Sequence, residues 1–412
     1  MKAISGIRDP QELVDVYWEG IGDLTPVYDY VALSRRNVEP PFYLITRSSR
    51  FTEDFNPWTQ RDRLPRLSGG LLGEIAYAGR PVIIDNLPAR LAPDDPARFH
   101  LEGFHSLVAL PQYDDGEALN ITIMLLTPGR DLDKSIIPML HWQAGLFGRG
   151  TTNLVLRNQL GDALHALDRE LQVVGEIQRS LLPQTLPDIA GFDVAASYQT
   201  SARAGGDYYD FFPLHGGRWG LFIADVSGHG TPAAVLMAIT HAIAHSQPGT
   251  HTPPETLLTY LNTQLEAMYT RAGTFVTAFY AVLNPVERTL TYSSAGHNPP
   301  RLVRKGGVLS LNKAASLPLG ILPAQVYSEE TVQLEHGDLL LLYTDGITEA
   351  MPPVKPSDHP SLFGVERLDH LLLEEHASSA HACIERIRTE VALFSENSPP
   401  NDDRTLIALR CK

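Results

Sequence analysis

Residues Ala204–Gly230 read AGGDYYDFFPLHGGRWGLFIADVSGHG, and how this stretch pairs with itself decides the fold of the second half of the chain. Tyr208–Pro213 and Arg218–Ala224 have strand composition, and His215-Gly216-Gly217 between them supplies a turn in which glycine takes positive φ at little cost. The spacing predicts a hairpin. If Leu214 pairs with Arg218, the same register sets Asp207 opposite Asp225. Asp210 has the other parity, so it faces the other side of the sheet and reads as structural. Two carboxylates about 5 Å apart repel by ~3 kcal/mol at an effective dielectric of about 20. Directly opposed like charges destabilise a sheet. The pair therefore needs a cation between its members, a shared proton, or a frayed end in solvent. A hard divalent cation meets the need, because Mg²⁺ and Mn²⁺ take carboxylate and water oxygens. A slip of one residue would part the pair.

Further aspartates lie in similar settings. Leu339–Tyr343 is an all-apolar run that reads as a buried strand, and Thr344-Asp345-Gly346 follows it. Asn401-Asp402-Asp403-Arg404-Thr405 leads into a last strand, Leu406–Leu409. One aspartate at a strand end is ordinarily a turn or cap residue, but four such sites in one stretch point to a two-metal cluster. Two more hairpins are expected: Phe275–Leu283 turning at Asn284-Pro285 into Thr289–Ser294, and Arg301–Arg304 turning at Lys305-Gly306-Gly307 into Val308–Leu311. A helix is expected over Thr231–Ser246, with Thr231 as cap and Pro232 at its first position. The stretch 185–412 is expected to hold two amphipathic helices. The chain has no GxxxxGK[ST], HExxH or GxSxG signature, so nucleotide-loop, zincin and hydrolase-elbow chemistry lack support.

The segments GGDYYDFF, IADVSGHGTPAAVLMA, SSAGHNPP, YTDGITEA and NDDRTLIALR, in that order and preceded by EIQRSLLP, resemble the SpoIIE/RsbU branch of the PPM metal-dependent Ser/Thr phosphatases. The resemblance spans about 175–412. It implies an α-β-β-α sandwich with two Mn²⁺ or Mg²⁺ ions at one edge. It also implies hydrolysis of phosphoserine or phosphothreonine by metal-activated water without a covalent intermediate. Carried over residue by residue, it implies that Asp207 and Asp225 are catalytic metal ligands, with Asp225 bridging. Val226 would contribute its backbone carbonyl, and Asp345 and Asp402 would complete the set. Asp403 stands beside them as an accessory residue. His229 is a candidate general acid or else a turn residue, and His297 is expected to organise a loop. The resemblance implies a STAS-type anti-sigma-factor antagonist as substrate. The alternative readings are a non-catalytic phosphoprotein-binding scaffold and a ligand-sensing dimerisation module.

Upstream, strands are expected at Phe42–Thr46, Val82–Ile84, Ser106–Leu110 and Leu119–Leu126, with a hairpin turn at Tyr113–Gly116 and a short helix at Leu71–Ala78. This is an α+β pattern without βαβ rhythm. GGLLGEIAYAGRPVIIDNL and GFHSLVALPQYDDGEALNITIML resemble a GAF domain over about 10–148, which implies a sensor module with a pocket for a small molecule. The stretch holds no cysteine, so a thioether-linked chromophore is excluded. His100, His105 and His141 are the residues that could meet a haem, although a lone histidine is more often a cap or surface residue. Between the two regions, apolar residues at 156, 160, 164, 167, 171, 174, 177 and 181 form a helical seam. No proline occurs from Thr151 to Leu182, and Pro183 stops the helix. The seam is expected to pair with a second copy in a homodimer, or else to pack on its own domains. Gly175 sits where the heptad breaks and is expected to mark a strained, switchable point. The organisation is thus a GAF-like sensor over 1–148, a coiled-coil linker over 149–184 and a phosphatase domain over 185–412, all in the α+β class.

Composition narrows the partners. Lys+Arg numbers 33 and Asp+Glu 48 in 412 residues, a net charge of −15. Such a chain is a poor ligand for nucleic acid or an anionic membrane, whose phosphates need clustered cations. Cys383 and Cys411 are too few for a disulfide framework or a cysteine zinc site. The start, MKAISGIRDPQ, lacks the apolar core of a signal peptide, and no apolar run approaches the ~18 residues of a spanning helix. A cytoplasmic signalling protein is expected.

Overall fold

The structure, a computed structural model, describes residues 6–22, 29–53, 55–114, 116–130, 133–246, 253–268, 273–353, 361–375 and 379–412. Asp115 of the expected turn lies outside them. The chain divides into two units, Met1–His165 and Ala166–Lys412.

The first unit contains α1 (Pro10–Gly22), β1 (Asp29–Ser34), β2 (Phe42–Ser48), β3 (Arg66–Ser68), α2 (Gly70–Tyr77), β4 (Val82–Ile84), α3 (Arg98–Leu101), β5 (Ser106–Asp114) and β6 (Glu117–Leu126), followed by the start of α4 (Ile137–Leu181). Its sheet is antiparallel in the order β3-β2-β1-β6-β5-β4. Alternation along β6 sends Ile121, Ile123 and Leu125 into a core with Leu72 and Ile75 of α2 and Leu101 of α3. Met124, on the opposite face, joins Val108 and Leu110 against Ile137, Leu140 and Ala144 of α4. This second apolar patch explains why the helix starts at Ile137 and not near 149: its first turns have a sheet to cover.

The second unit runs β7 (Phe192–Gln199), β8 (Tyr208–Leu214), β9 (Arg218–Val226), α5 (Thr231–Ser246), α6 (Pro254–Met268), β10 (Val276–Asn284), β11 (Thr289–Ala295), β12 (Arg301–Arg304), β13 (Gly307–Ser310), β14 (Ala315–Ser316), β15 (Glu330–Gln333), β16 (Leu339–Tyr343), α7 (Asp345–Thr348), α8 (Gly364–Glu375), α9 (Ala380–Phe394) and β17 (Arg404–Cys411). One sheet has the order β14-β11-β10-β9-β8, with β15 also on β11; the other has the order β13-β12-β16-β17-β7. Leu340, Leu342, Ile407 and Leu409 of the second sheet share a core with Leu221 and Phe279 of the first and with Met237 and Leu258 of α5 and α6. Leu339, Leu341, Leu406 and Ala408 turn the other way, onto Leu368, Leu372, Ile384 and Ile387 of α8 and α9. The layers are therefore helix, sheet, sheet, helix. The unbroken LLLLY run is a strand buried on both faces. Where two amphipathic helices were expected, the described residues hold four long ones, because each outer sheet face needs a helical pair to cover it.

The linker pattern is one continuous helix, α4. The helix runs through the heptad break at Gly175 without interruption. Gly175 is buried, and a Cβ there would overlap the backbone carbonyl of Arg203. The glycine is required by close approach of the loop. Among the described residues no helix is long and apolar enough to cross a membrane.

Leu341 is fully buried between β12, β17 and the α8–α9 layer. Leu341→Ala is expected to destabilise the second unit by about 2–5 kcal/mol in urea unfolding.

Candidate active site

The hairpin of β8 and β9 pairs Leu214 with Arg218 and Tyr208 with Ala224. One step beyond the last pair, Asp207 and Asp225 meet, close enough that each carboxyl group shifts the other's pKa. This is the register expected from the turn. Asp207 is 1% exposed. Its Oδ2 accepts from Thr344 Oγ1 at 2.8 Å and from Thr405 Oγ1 at 2.6 Å. Thr344 follows β16 and Thr405 lies in β17, so one carboxylate of the first sheet is held by two hydroxyls of the second. Thr344 Oγ1 in turn accepts from the backbone N–H of Thr405 at 2.9 Å. Neither threonine was singled out from the sequence; the available signal was their place beside Asp345 and Asp403 in the two motifs.

Asp345 opens α7 immediately after Thr344, and Asp402 stands two residues before β17. Both act on Asp225 through space, as does Asp403. The consequences are large. Burial and then the charges of Asp345, Asp402 and Asp403 push Asp225 up to about 8. Burial, then Asp402 and Glu349, push Asp345 up to about 6. Asp207 is raised by burial and by Asp225, against the pull of its two threonine hydrogen bonds. Asp402 is raised chiefly by burial. No lysine or arginine is among the main charges acting on Asp207, Asp225 or Asp345. The protein gathers carboxylates at one edge of the sandwich and supplies little positive charge to balance them.

The other expected residues fall as follows. Val226 ends β9, and a Cβ on Gly206 would crowd its carbonyl oxygen, so the residue at 206 leaves that oxygen clear. His229 is exposed and close enough to Asp402 to favour its charged form. Asp403 is buried and engaged elsewhere: its Oδ1 accepts from Ser201 N at 2.7 Å and Ser201 Oγ at 3.1 Å, and its Oδ2 from Gly206 N at 2.6 Å. It shapes the loop 201–206 that presents Asp207. Gly205 permits this, because a Cβ there would overlap the Asp403 carboxylate. His297 is buried, with Nδ1 2.9 Å from Thr277 Oγ1, and burial pushes it down to about 4, so it stays neutral. Thr277 is the ladder partner of Asp225. In the first unit, His100 is tied through Nδ1 to Ser48 Oγ at 2.9 Å.

The same loop touches α4. Gln178 Nε2 donates to Gly205 O at 2.6 Å, and Gly205 N donates to Gln178 Oε1 at 2.9 Å. Arg203 pairs with Asp168 through two nitrogens at 2.9 and 3.0 Å. The end of the long helix is therefore hydrogen-bonded to the segment that carries Asp207.

Two outcomes follow from this geometry. Gln178→Ala leaves a buried N–H and C=O of Gly205 unpaired, and each is expected to cost about 1–3 kcal/mol in urea unfolding. In metal-free protein, Asp225 binds its proton more tightly folded than unfolded. It therefore favours folding at low pH, and that contribution is lost as pH rises from about 4 through about 8. Asp225→Asn removes the effect, so the metal-free variant is expected to melt above wild type at pH 8, with the gap closing toward pH 4. A gap independent of pH in calorimetry would contradict this.

Comparison with known proteins gives a consistent reading. The family described as Stage II sporulation protein E (SpoIIE) matches residues 215–412. The phosphoserine phosphatase RsbU of Bacillus subtilis is 32% identical over 245 residues, covering 59% of this chain and 70% of RsbU. The phosphoserine phosphatase RsbP of the same organism is 25% identical over 248 residues, 59% of this chain and 58% of RsbP. Among solved structures, the SiaA-PP2C domain of Pseudomonas aeruginosa superposes with a TM-score of 0.54 at 21% identity, over 61% of this chain and 99% of that one. That last likeness bears on the fold alone, and it fits the two-sheet sandwich. Identity at this level across most of RsbU, together with the family match over residues 215–412, makes the chain a member of the SpoIIE family of PPM-type protein phosphatases.

Proposed function

We propose that the second unit hydrolyses phosphoserine or phosphothreonine on a partner protein, with Asp207, Asp225, Asp345, Asp402 and the Val226 carbonyl holding two Mn²⁺ or Mg²⁺ ions. The observation that carries this reading is the convergence of one buried and three partly buried, mutually repelling carboxylates on one sandwich edge with little protein cation to offset them. An all-oxygen donor set of this kind suits hard divalent ions. When bound, such a pair lowers the pKa of water and offsets charge on phosphoryl oxygens. The chain's own part is positioning. Thr344 and Thr405 fix the rotamer of Asp207, and Asp403 fixes the loop behind it. His229, exposed beside Asp402, stands at the rim where a leaving serine oxygen would need a proton.

The substrate we propose is a small phosphorylated STAS-type antagonist of an anti-sigma factor, in line with the phosphoserine phosphatase names of the relatives. The first unit serves as a GAF-like sensor. In support, it has a six-stranded antiparallel sheet and a cleft of about 380 Å³ lined in part by Ser34, Arg36, Arg47, Trp58 and Gln112. Its signal passes along α4, on which Leu156, Leu160, Leu164 and Leu167 are 52–61% exposed. An apolar stripe so open to water suits pairing with a second copy.

The test is phosphate release from a phosphoserine protein with added Mn²⁺. Wild type is expected to turn over, chelator to stop it, and Asp225→Asn to lose at least about a hundredfold. Turnover that survives both chelator and Asp225→Asn would overturn the proposal. Leu167→Pro, which removes no ligand, is expected to alter both turnover and oligomer size in light scattering.

A further inference from the structure

A second set of metal-ligating side chains lies away from the aspartate cluster. Asp210, His241 and His245 offer one donor atom each, all within 4.8 Å of one another. The sequence places them there by simple periodicity. Tyr208, Asp210 and Phe212 share one face of β8, and that face meets α5, because Tyr208 packs on His241 and Phe212 on His245. His241 and His245 are four residues apart on α5, so both rings leave the same side of the helix. Their ring centroids are 4.2 Å apart. Asp207, by contrast, belongs to the other parity and to the carboxylate edge.

The Asp210 carboxylate is buried and already oriented. Its Oδ2 accepts from Tyr208 Oη at 2.6 Å and lies 2.7 Å from His245 Nε2, and its Oδ1 accepts from Phe211 N at 2.7 Å. A tyrosine hydroxyl on a ligating carboxylate is the type of outer contact that holds a metal ligand in place. His245 is 46% exposed, which leaves one side of the group open to water.

We propose that Asp210, His241 and His245 form a binding site for a single transition-metal divalent cation of the zinc class, separate from the aspartate cluster. Two imidazoles and one carboxylate with an open fourth position match the donor number and type that Zn²⁺ takes. The hard ions suited to the aspartates prefer oxygen alone, so donor chemistry sorts the two classes of ion between the two places. The ion would take the place of the hydrogen bond that now links His245 to Asp210 and would clamp β8 to α5.

The experiment uses the full chain, stripped of metal and then held in excess Mg²⁺ to occupy the oxygen donors. Co²⁺ is titrated in and followed by its visible ligand-field absorption, which is strong for a four-coordinate centre and weak for an octahedral oxygen site. One equivalent is expected to give the strong band, and Zn²⁺ to displace it. His245→Ala and His241→Ala are each expected to remove the band, Tyr208→Phe to weaken Co²⁺ binding about tenfold, and Asp225→Asn to leave it intact. A wild-type chain with no strong band would overturn the proposal without reference to any variant. So would a band that survives both histidine substitutions, or one that vanishes in Asp225→Asn.

Discussion

The second unit depends on one carboxylate. Asp207 immediately precedes β8, yet its hydrogen bonds go to Thr344, just after β16, and Thr405, in β17 of the opposite sheet. It faces Asp225 of its own sheet, whose charge disfavours ionisation of Asp207. Burying an ionised carboxylate costs several kcal/mol unless it is paired. Two hydroxyls offset part of that cost, and a second carboxylate adds to it. The arrangement is under electrostatic tension that this part of the chain does little to relieve, and the adjoining Asp345 and Asp402 increase it.

The surroundings read as devices for keeping that carboxylate in place. Asp403 is buried next to the cluster but spends both oxygens on Ser201 and Gly206. Gly205 lets the loop lie against it, and Gln178 closes two hydrogen bonds on Gly205. Gly175 allows the same loop to approach the helix. A rotation or shift of the end of α4 would break a pair of buried hydrogen bonds two residues from Asp207. The helix is thus joined mechanically to the edge where the carboxylates gather, and its exposed leucine stripe gives the upstream turns a surface on which force can act. Such a joint is the physical content of the proposed control.

Much of this was legible in the chain itself. The Leu214–Arg218 register follows from a short turn with two glycines, which leaves little freedom in how the flanking strands meet. The LLLLY run and the Thr231-Pro232 start of α5 were likewise readable, because burial on both faces and helix initiation each have local signatures. The aspartates were visible through their order along the chain. Other features depended on contacts that sequence does not encode locally. Thr344 and Thr405 reach Asp207 across 137 and 198 residues. Asp402 and Asp403 are adjacent and chemically alike; only the fold shows that one joins the carboxylate edge and the other braces a loop. Gly175 looked like a break in a heptad, but its cause is the Arg203 carbonyl, a tertiary contact. β1 and β15 are short, with weak alternation, and α8 and α9 are amphipathic on a charged background, so their existence follows from the sheet face they cover.

The central claim is that divalent cations complete the carboxylate edge. The most direct measurement is anomalous scattering from crystals of the chain grown with Mn²⁺. The account predicts a pair of manganese peaks bounded by Asp207, Asp225, Asp345 and Asp402, with Asp403 still on the 201–206 loop. Well-ordered crystals with no peak among those residues, or with a lysine or arginine side chain filling the space, would contradict it.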